Sequence, residues 1–232
     1  MSTAVHAFNF DKARFNMIEQ QIRPWEVLDA RVLALLSEVR REQFVPAAFQ
    51  SLALADMEIP LSSPAVEGEC MLPPKVEARA LQDLDLQPTD NVLEIGTGSG
   101  YMAALLGKLA ARVLSIEIQP ERAKQAQANL QSAGVNNVEV RVADAAANRF
   151  AACVAAAPYD AILISGSVAE VPADLLALLK TGGRLFAVVG QEPMMRATLV
   201  RRNGEAAFHT EQPWDIVVPR MKHFPEPSRF QF

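Results

Sequence analysis

Residues Asn91 to Tyr101 read Asn-Val-Leu-Glu-Ile-Gly-Thr-Gly-Ser-Gly-Tyr, a short apolar strand that runs into three alternating glycines and then a helix. Glycine tolerates positive φ and has no Cβ, so a turn built on Gly96, Gly98 and Gly100 lets a ligand lie almost on the backbone. The helix beyond it starts with unpaired N–H groups. Such a turn belongs to an open α/β sheet that binds a nucleotide-type ligand at the carboxyl end of a parallel strand. The dinucleotide fingerprint Gly-x-Gly-x-x-Gly would put its third glycine at position 101, which is tyrosine, so the spacing disfavours NAD. Glu94, two residues before the first glycine, repels a pyrophosphate and suits a cationic ligand.

From Gly100 onward helix and strand patterns alternate, the signature of a parallel sheet covered on both faces. The spacing predicts a helix over Tyr101 to Ala110, a strand over Arg112 to Glu117, a helix opened by Pro120 and closed by Gly134, and a strand over Val138 to Val142. A strand over Asp160 to Ile164, a helix over Pro172 to Leu179, a turn at Thr181-Gly182-Gly183 and a strand over Arg184 to Val189 follow. Thr198 to Arg202 and Ala206 to Thr210 flank Asn203-Gly204, a strong hairpin signal, so the sheet ends in an antiparallel pair, with Ile216 to Val218 as a candidate last strand. Ahead of the glycines, Lys12 to Gln21 and Asp29 to Arg40 have helical periodicity, with Leu33, Leu36 and Val39 on one face. They form a helical N-terminal cap. Pro60, Pro64, Pro73 and Pro74 make Ile59 to Pro74 irregular, and a helix from Lys75 to Leu84 follows. A long irregular segment leading towards a ligand turn is more often functional than not.

At 232 residues, half of them apolar, the chain can bury one sizeable core, and the expected division is a cap with a substrate-side loop over residues 1–88 and a ligand-binding sheet over residues 89–232, in one compact unit. A net charge of −5 without a Lys/Arg run lacks the footprint of a nucleic-acid binder. No apolar run is long enough to span a membrane, and Met1 to Asp11 do not read as a signal peptide, so a cytoplasmic protein is expected. Cys70 and Cys153 are too few for a disulfide scaffold, and His6, His209 and His223 make no metal spacing with them, so no metal site is expected. Trp25, Trp214, Phe224, Phe230 and Phe232 read as packing residues, Met194-Met195 as packing or a lip beside the substrate, and Cys153 as a small buried hydrophobe.

Glu117 ends the second strand, where the ribose diol of a bound nucleoside needs a bidentate acceptor. Asp144, just past the third strand, is placed to accept from an adenine amino group, with Ala145 backing the ring.

The pattern Glu-x-Gly-x-Gly-x-Gly resembles the first motif of the class I methyltransferases, whose cofactor is the cationic S-adenosylmethionine. Arg14-Phe-Asn-Met-Ile-Glu-Gln-Gln-Ile-Arg23, Asp29-Ala-Arg-Val-Leu33, Arg41-Glu-Gln-Phe-Val-Pro46 and Ala53-Leu-Ala-Asp56 resemble the N-terminal region of protein-L-isoaspartate O-methyltransferases. The likeness continues through Val92 to Tyr101, Asn137-Val, Pro158-Tyr-Asp-Ala-Ile162 and Leu179-Lys-Thr-Gly-Gly-Arg-Leu185. It implies a Rossmann-like, doubly wound, mostly parallel α/β sheet with a helical N-terminal cap and antiparallel C-terminal strands. It also implies methyl transfer from S-adenosylmethionine, leaving S-adenosylhomocysteine, to a free carboxylate on a damaged protein or peptide. The cofactor contacts it implies are Met71, Glu94, Ile95, Gly96, Thr97, Gly98, Ser99, Gly100, Glu117, Ile118, Asp144 and Ala145.

One segment departs from the family. Where members carry Gly-Gln-Thr-Ile-Ser-x-Pro, with the serine beside the methyl donor, this chain reads Gly68-Glu69-Cys70-Met71-Leu72-Pro73-Pro74, after a longer stretch from Leu61 to Glu67. Leu72 stands at the serine position and cannot donate a hydrogen bond; Cys70 replaces the threonine, and Ser62, Ser63 or Cys70 is a candidate to compensate. An inward-pointing Glu69 would repel an anionic acceptor. Three readings follow: isoaspartate methylation, a related methyltransferase with another carboxylate or hydroxyl acceptor, and a non-catalytic sensor or interaction protein that binds S-adenosylmethionine. The oligomeric state is not encoded in any of these features.

Overall fold

The computed structural model describes residues 9–226; His6, Phe230 and Phe232 lie outside them. The cap starts with α1 (Phe10–Met17), which continues through a π-helical turn and a 3₁₀ turn to Trp25. Helix α2 (Ala30–Glu38) is capped by Asp29, whose carboxylate accepts from Arg31 N at 2.8 Å, and it buries Val32, Leu33, Leu35 and Leu36. The proline-rich segment is not wholly irregular: β1 (Ile59–Pro60) and β2 (Cys70–Met71) pair antiparallel and close the loop between them. Helix α3 (Pro74–Leu84) follows, with Pro74 in its first turn, where a missing N–H costs nothing.

Among the described residues, seven strands form one sheet. After β3 (Asn91–Ile95) come α4 (Tyr101–Leu109), β4 (Arg112–Glu117), α5 (Pro120–Ser132), β5 (Val138–Val142), the short α6 (Ala151–Val154) and β6 (Tyr159–Val168). Next are the single-turn α7 (Ala173–Leu176), β7 (Leu179–Gln191), β8 (Met194–Arg202) and β9 (Phe208–Asp215). The sheet order is β5-β4-β3-β6-β7-β8-β9, with β8 antiparallel to both its neighbours and all other pairs parallel. The chain winds outward from β3 to β5 and then crosses to β6 on the other side, so the carboxyl ends of β3 and β6 form the switch point where such sheets bind ligands. All five residues of β3 are buried, as a central strand covered on both faces requires.

Three predicted elements differ. The helix expected over Pro172 to Leu179 is a single turn, and Thr181-Gly182-Gly183 lie inside β7, looped out where its register against β6 shifts between the Tyr159 and Ala161 pairs. Ile216 to Val218 form no strand; the ladder stops at Asp215 and the chain turns away from the sheet. The hairpin stands as expected, closed by Asn203 N donating to Ala207 O at 2.8 Å, and it leaves β9 on the exposed edge. Trp25 and Trp214 meet edge to face at 6.1 Å between the cap and the sheet, Met195 and Cys153 are buried, and Met194 is exposed.

Candidate active site

Strand β3 delivers the chain to Gly96 and Gly98 at φ +97° and +54°, conformations that glycine adopts without strain. Both Gly96 N and Thr97 N donate to Ile116 O, at 2.9 and 3.3 Å, so the turn is pinned to β4. Gly100, at φ +85°, closes against α5: a Cβ there would lie 3.2 Å from the Ala126 Cβ and carbonyl oxygen. It lets α4 pack closely on α5.

Glu94 also lies elsewhere than expected. It sits behind the turn, fully buried, with Ser115 Oγ donating to it at 2.6 Å and Ser165 Oγ at 3.2 Å, and it does not line the cavity. Thr97 Oγ1 extends this chain, 2.5 Å from Ser115 Oγ. Burial pushes the Glu94 carboxyl up to about 8, against the pull of the two serine hydroxyls. A raised carboxyl pKa means that the folded state holds its proton longer than the unfolded chain, so this group's effect on stability is lost as pH rises from about 4.5 to about 8. Glu94→Gln, which imitates the protonated form, is therefore expected to melt increasingly above the wild type across that interval and at a constant offset beyond it. Parallel melting curves at all pH values would refute this assignment.

The cavity beyond the turn is a cleft of about 710 Å³, counting the part that is open to solvent. Of the expected residues, Cys70, Ile95, Gly96, Gly98, Glu117, Ile118, Asp144 and Ala145 line it. Glu117 is buried; its Oε2 accepts from Gly98 N at 2.9 Å and its Oε1 from Gln119 N at 3.0 Å, which fixes both oxygens at the cavity edge. Asp144 Oδ1 accepts from Ala146 N at 3.1 Å, and Oδ2 lies 2.6 Å from His223 Nδ1. Sequence reasoning missed Gln119, Arg122, Ser165 and the contribution of Arg220 to Phe224. Ser165 was findable, being at the carboxyl end of a strand beside β3.

A smaller recess on the other side of the turn gathers Met71, Leu72, Thr97 and Ser99, and shares Cys70, Gly96, Gly98 and Ser165 with the larger cavity. Leu72 packs its side chain against the core, while its carbonyl accepts from Arg41 Nη2 at 2.7 Å. Arg41, fully buried, also donates to Ala53 O at 3.0 Å, pairs with Glu77 in the recess wall, and lies 4.9 Å over the Tyr101 ring. Burial pushes the Glu77 carboxyl up to about 7, with Arg41 opposing. Burial, followed by Glu58, pushes the Cys70 thiol up to about 12, so it stays protonated and is no nucleophile. Ser62 spends its hydroxyl on Pro64 O at 2.9 Å and Ser63 is exposed, so neither replaces the serine in the recess. Ser165 borders the recess, with its hydroxyl bonded to Glu94 at 3.2 Å.

Glu69 lines the larger cavity, yet it is not a bare negative charge. Lys222 Nζ donates to it at 2.5 Å, Gln119 Nε2 at 2.7 Å, and Arg122 pairs with its other oxygen. The Lys222 hydrogen bond first, then Gln119, hold its carboxyl below the usual range despite burial, and the two cations cancel the repulsion that an anionic acceptor would otherwise meet. Among the described residues no group of three His, Cys, Asp or Glu could hold a metal ion, and no helix is long and apolar enough to cross a membrane.

A Rossmann-like sheet with a glycine turn at its switch point and a carboxylate closing the second strand defines an S-adenosylmethionine-dependent class I methyltransferase. Residues 12–219 match the family model described as protein-L-isoaspartate(D-aspartate) O-methyltransferase, and the chain belongs to that family. It is 40% identical over 194 residues to a protein-L-isoaspartate O-methyltransferase of Methanoculleus marisnigri, covering 83% of this chain and 84% of that one. It is 39% identical over 202 residues to protein-L-isoaspartate O-methyltransferase 1 of Syntrophobacter fumaroxidans, covering 87% and 91%. A Plasmodium falciparum structure assigned as a protein-L-isoaspartate O-methyltransferase, in complex with S-adenosyl-L-homocysteine, superposes with a TM-score of 0.72 at 17% identity, covering 92% of this chain and 99% of that one. At that identity the likeness speaks for the fold.

Proposed function

We propose that the protein methylates the free carboxylate of isoaspartyl residues in damaged proteins or peptides, at the junction of the two cavities. The observation that carries this reading is that junction: Cys70, Gly96, Gly98 and Ser165 border both the larger cavity, suited to a nucleoside, and the recess containing Leu72. The residues fit S-adenosylmethionine. Glu117 presents a fixed carboxylate to a ribose diol, Asp144 and Ala145 face an adenine, Ile95 and Ile118 supply apolar walls, and Met71, Thr97 and Ser99 border the methyl end. Glu94 acts from behind the turn and Gly100 by letting the helices close up. Residues 89–232 hold the cofactor, residues 1–88 face the acceptor, and the protein works in the cytoplasm.

The cofactor, when bound, supplies a methyl group on a cationic sulfur. An acceptor carboxylate is ionised at neutral pH, so this chain needs no general base, and its task is to hold donor and acceptor in line while excluding water. The carboxylate oxygen forms its bond to the methyl carbon as the carbon–sulfur bond breaks and its electron pair returns to sulfur. Charge is cancelled in this step. Ser165 borders the junction with its hydroxyl bonded to Glu94, Leu72 gives an apolar wall, and Arg41 holds the Leu72 backbone in place.

Incubation with labelled methyl donor and an isoaspartyl peptide is expected to yield a labelled methyl ester. Leu72→Ser should raise kcat/KM roughly ten- to a hundredfold, the worth of one hydrogen bond to a charged group. No transfer by either protein would sink the reading. Turnover by Leu72→Ser alone would favour the second reading, another acceptor, which rests on the apolar Leu72.

A further inference from the structure

After β9 the chain returns across the mouth of the larger cavity. Ser167 in β6 is its hinge: Ser167 N donates to Pro219 O at 2.8 Å, Ser167 O accepts from Met221 N at 2.8 Å, and Ser167 Oγ donates to Val218 O at 2.9 Å. Arg220 Nη2 adds a bond to Gly190 O at 2.7 Å. From this hinge Met221 and Lys222 reach the cavity wall, and His223 reaches Asp144 at its edge.

Met221 lies on the glycine turn. A Cβ on Gly96 would come 3.1 Å from its Cε, and a Cβ on Gly166 would come 2.6 Å from its Sδ, so the two glycines form a socket for the thioether. Lys222 meets Glu69 at 2.5 Å and thereby ties the returning segment to the loop between β1 and β2. His223 Nδ1 meets Asp144 Oδ2 at 2.6 Å. The family match ends at residue 219, so these residues lie beyond the part of the chain it covers.

We propose that residues 219–224 form the remaining wall of the cofactor site, with Met221 touching the cofactor beside the glycine turn and the Lys222–Glu69 pair acting as the clasp that governs cofactor exchange. The proposal rests on the reading of the larger cavity as the S-adenosylmethionine site. The attachments differ in kind, with Phe224 buried against Phe150 at the far end of the segment. Backbone bonds to Ser167 fix the hinge, whereas the clasp is one side-chain pair between a Lys222 that is 52% exposed and a buried Glu69, so water reaches the lysine and can replace its carboxylate when the pair opens. Gln119 and Arg122 still hold Glu69 when Lys222 lets go, so the clasp can open between the Ser167 hinge and the buried Phe224 while the loop stays in place. A thioether is soft and adaptable, which suits a surface that must close over both the sulfonium donor and its neutral product.

Lys222→Ala tests the clasp and Met221→Ala the wall, with Met221→Leu as the variant that keeps the volume. Binding of S-adenosylhomocysteine by calorimetry, and its uptake and release by rapid mixing, are the readouts, with melting temperature as the control for folding. Lys222→Ala is expected to speed uptake and release together, each several-fold, leaving Kd little changed. Met221→Ala is expected to speed release by about tenfold and to raise Kd in proportion, with Met221→Leu in between. Uptake and release within twofold of the wild type in Lys222→Ala and Met221→Ala, while the wild type binds, would overturn the strap alone. A wild type that does not bind S-adenosylhomocysteine would overturn the cofactor reading and the strap with it.

Discussion

Arg41→Met is expected to cost about 3–5 kcal/mol, because it leaves the Glu77 carboxylate buried without its partner. For a chain of this size that is a fall in melting temperature on the order of 10 °C. The pair is buried, and Arg41 also satisfies the carbonyls of Ala53 and Leu72, so truncation orphans three acceptors at once. Removing both charges tells a different story. Arg41→Met combined with Glu77→Leu should recover a large part of the loss, since a buried ion pair offsets little more than the cost of its own desolvation. The recovery stays incomplete because the two carbonyls remain unpaired. Urea or thermal unfolding of the single and double variants decides the matter, and equal instability of the two would show that the Glu77 charge is not the cause.

Glu117→Ala is expected to lower affinity for S-adenosylhomocysteine by at least a hundredfold. A bidentate acceptor for a ribose diol gives up two charge-assisted hydrogen bonds of about 1.5–3 kcal/mol each, and every 1.4 kcal/mol is about tenfold. The same substitution leaves Gly98 N and Gln119 N without their acceptor, so the turn itself loosens. Asp144→Ala should cost less, about tenfold, because one adenine bond is at stake. Calorimetry on both variants checks the ranking. Equal affinities for wild type and Glu117→Ala would place the nucleoside elsewhere.

Strands β4 and β5 begin and end where apolar runs and punctuating residues put them, because Pro120 and Gly134 mark the intervening helix without help from the rest of the chain. Legibility failed where a residue's role depends on distant partners. Ser165, Gly166 and Ser167 break an apolar run and read as the end of a strand, yet they continue β6, and Ser167 is held by a segment some fifty residues further on. Thr181-Gly182-Gly183 has the chemistry of a turn and is a bulge within β7. At the site, the residues fixed by one strand and its turn, such as Gly96, Gly98 and Glu117, were visible from spacing. Gly100 and Glu94 were visible too, but which way each faces is set by α5 and by Ser115 and Ser165. Lys222 meets Glu69 across 153 positions of chain, and no local pattern records such a contact.

The exposed edge of the sheet has a consequence for how a damaged polypeptide is met. Strand β9 carries Pro213, which has no N–H to offer, together with His209, Glu211 and Asp215, the kind of residues that keep an edge from being extended. On the far side β5 alternates Val138, Val140 and Val142 with Glu139 and Arg141. A client chain is thus discouraged from joining the sheet as an additional strand, a mode of capture that would grip any extended backbone regardless of its chemistry. On the proposed reading recognition is left to the recess beside the glycine turn, so a sound protein with an unfolded stretch would not be retained merely for being extended.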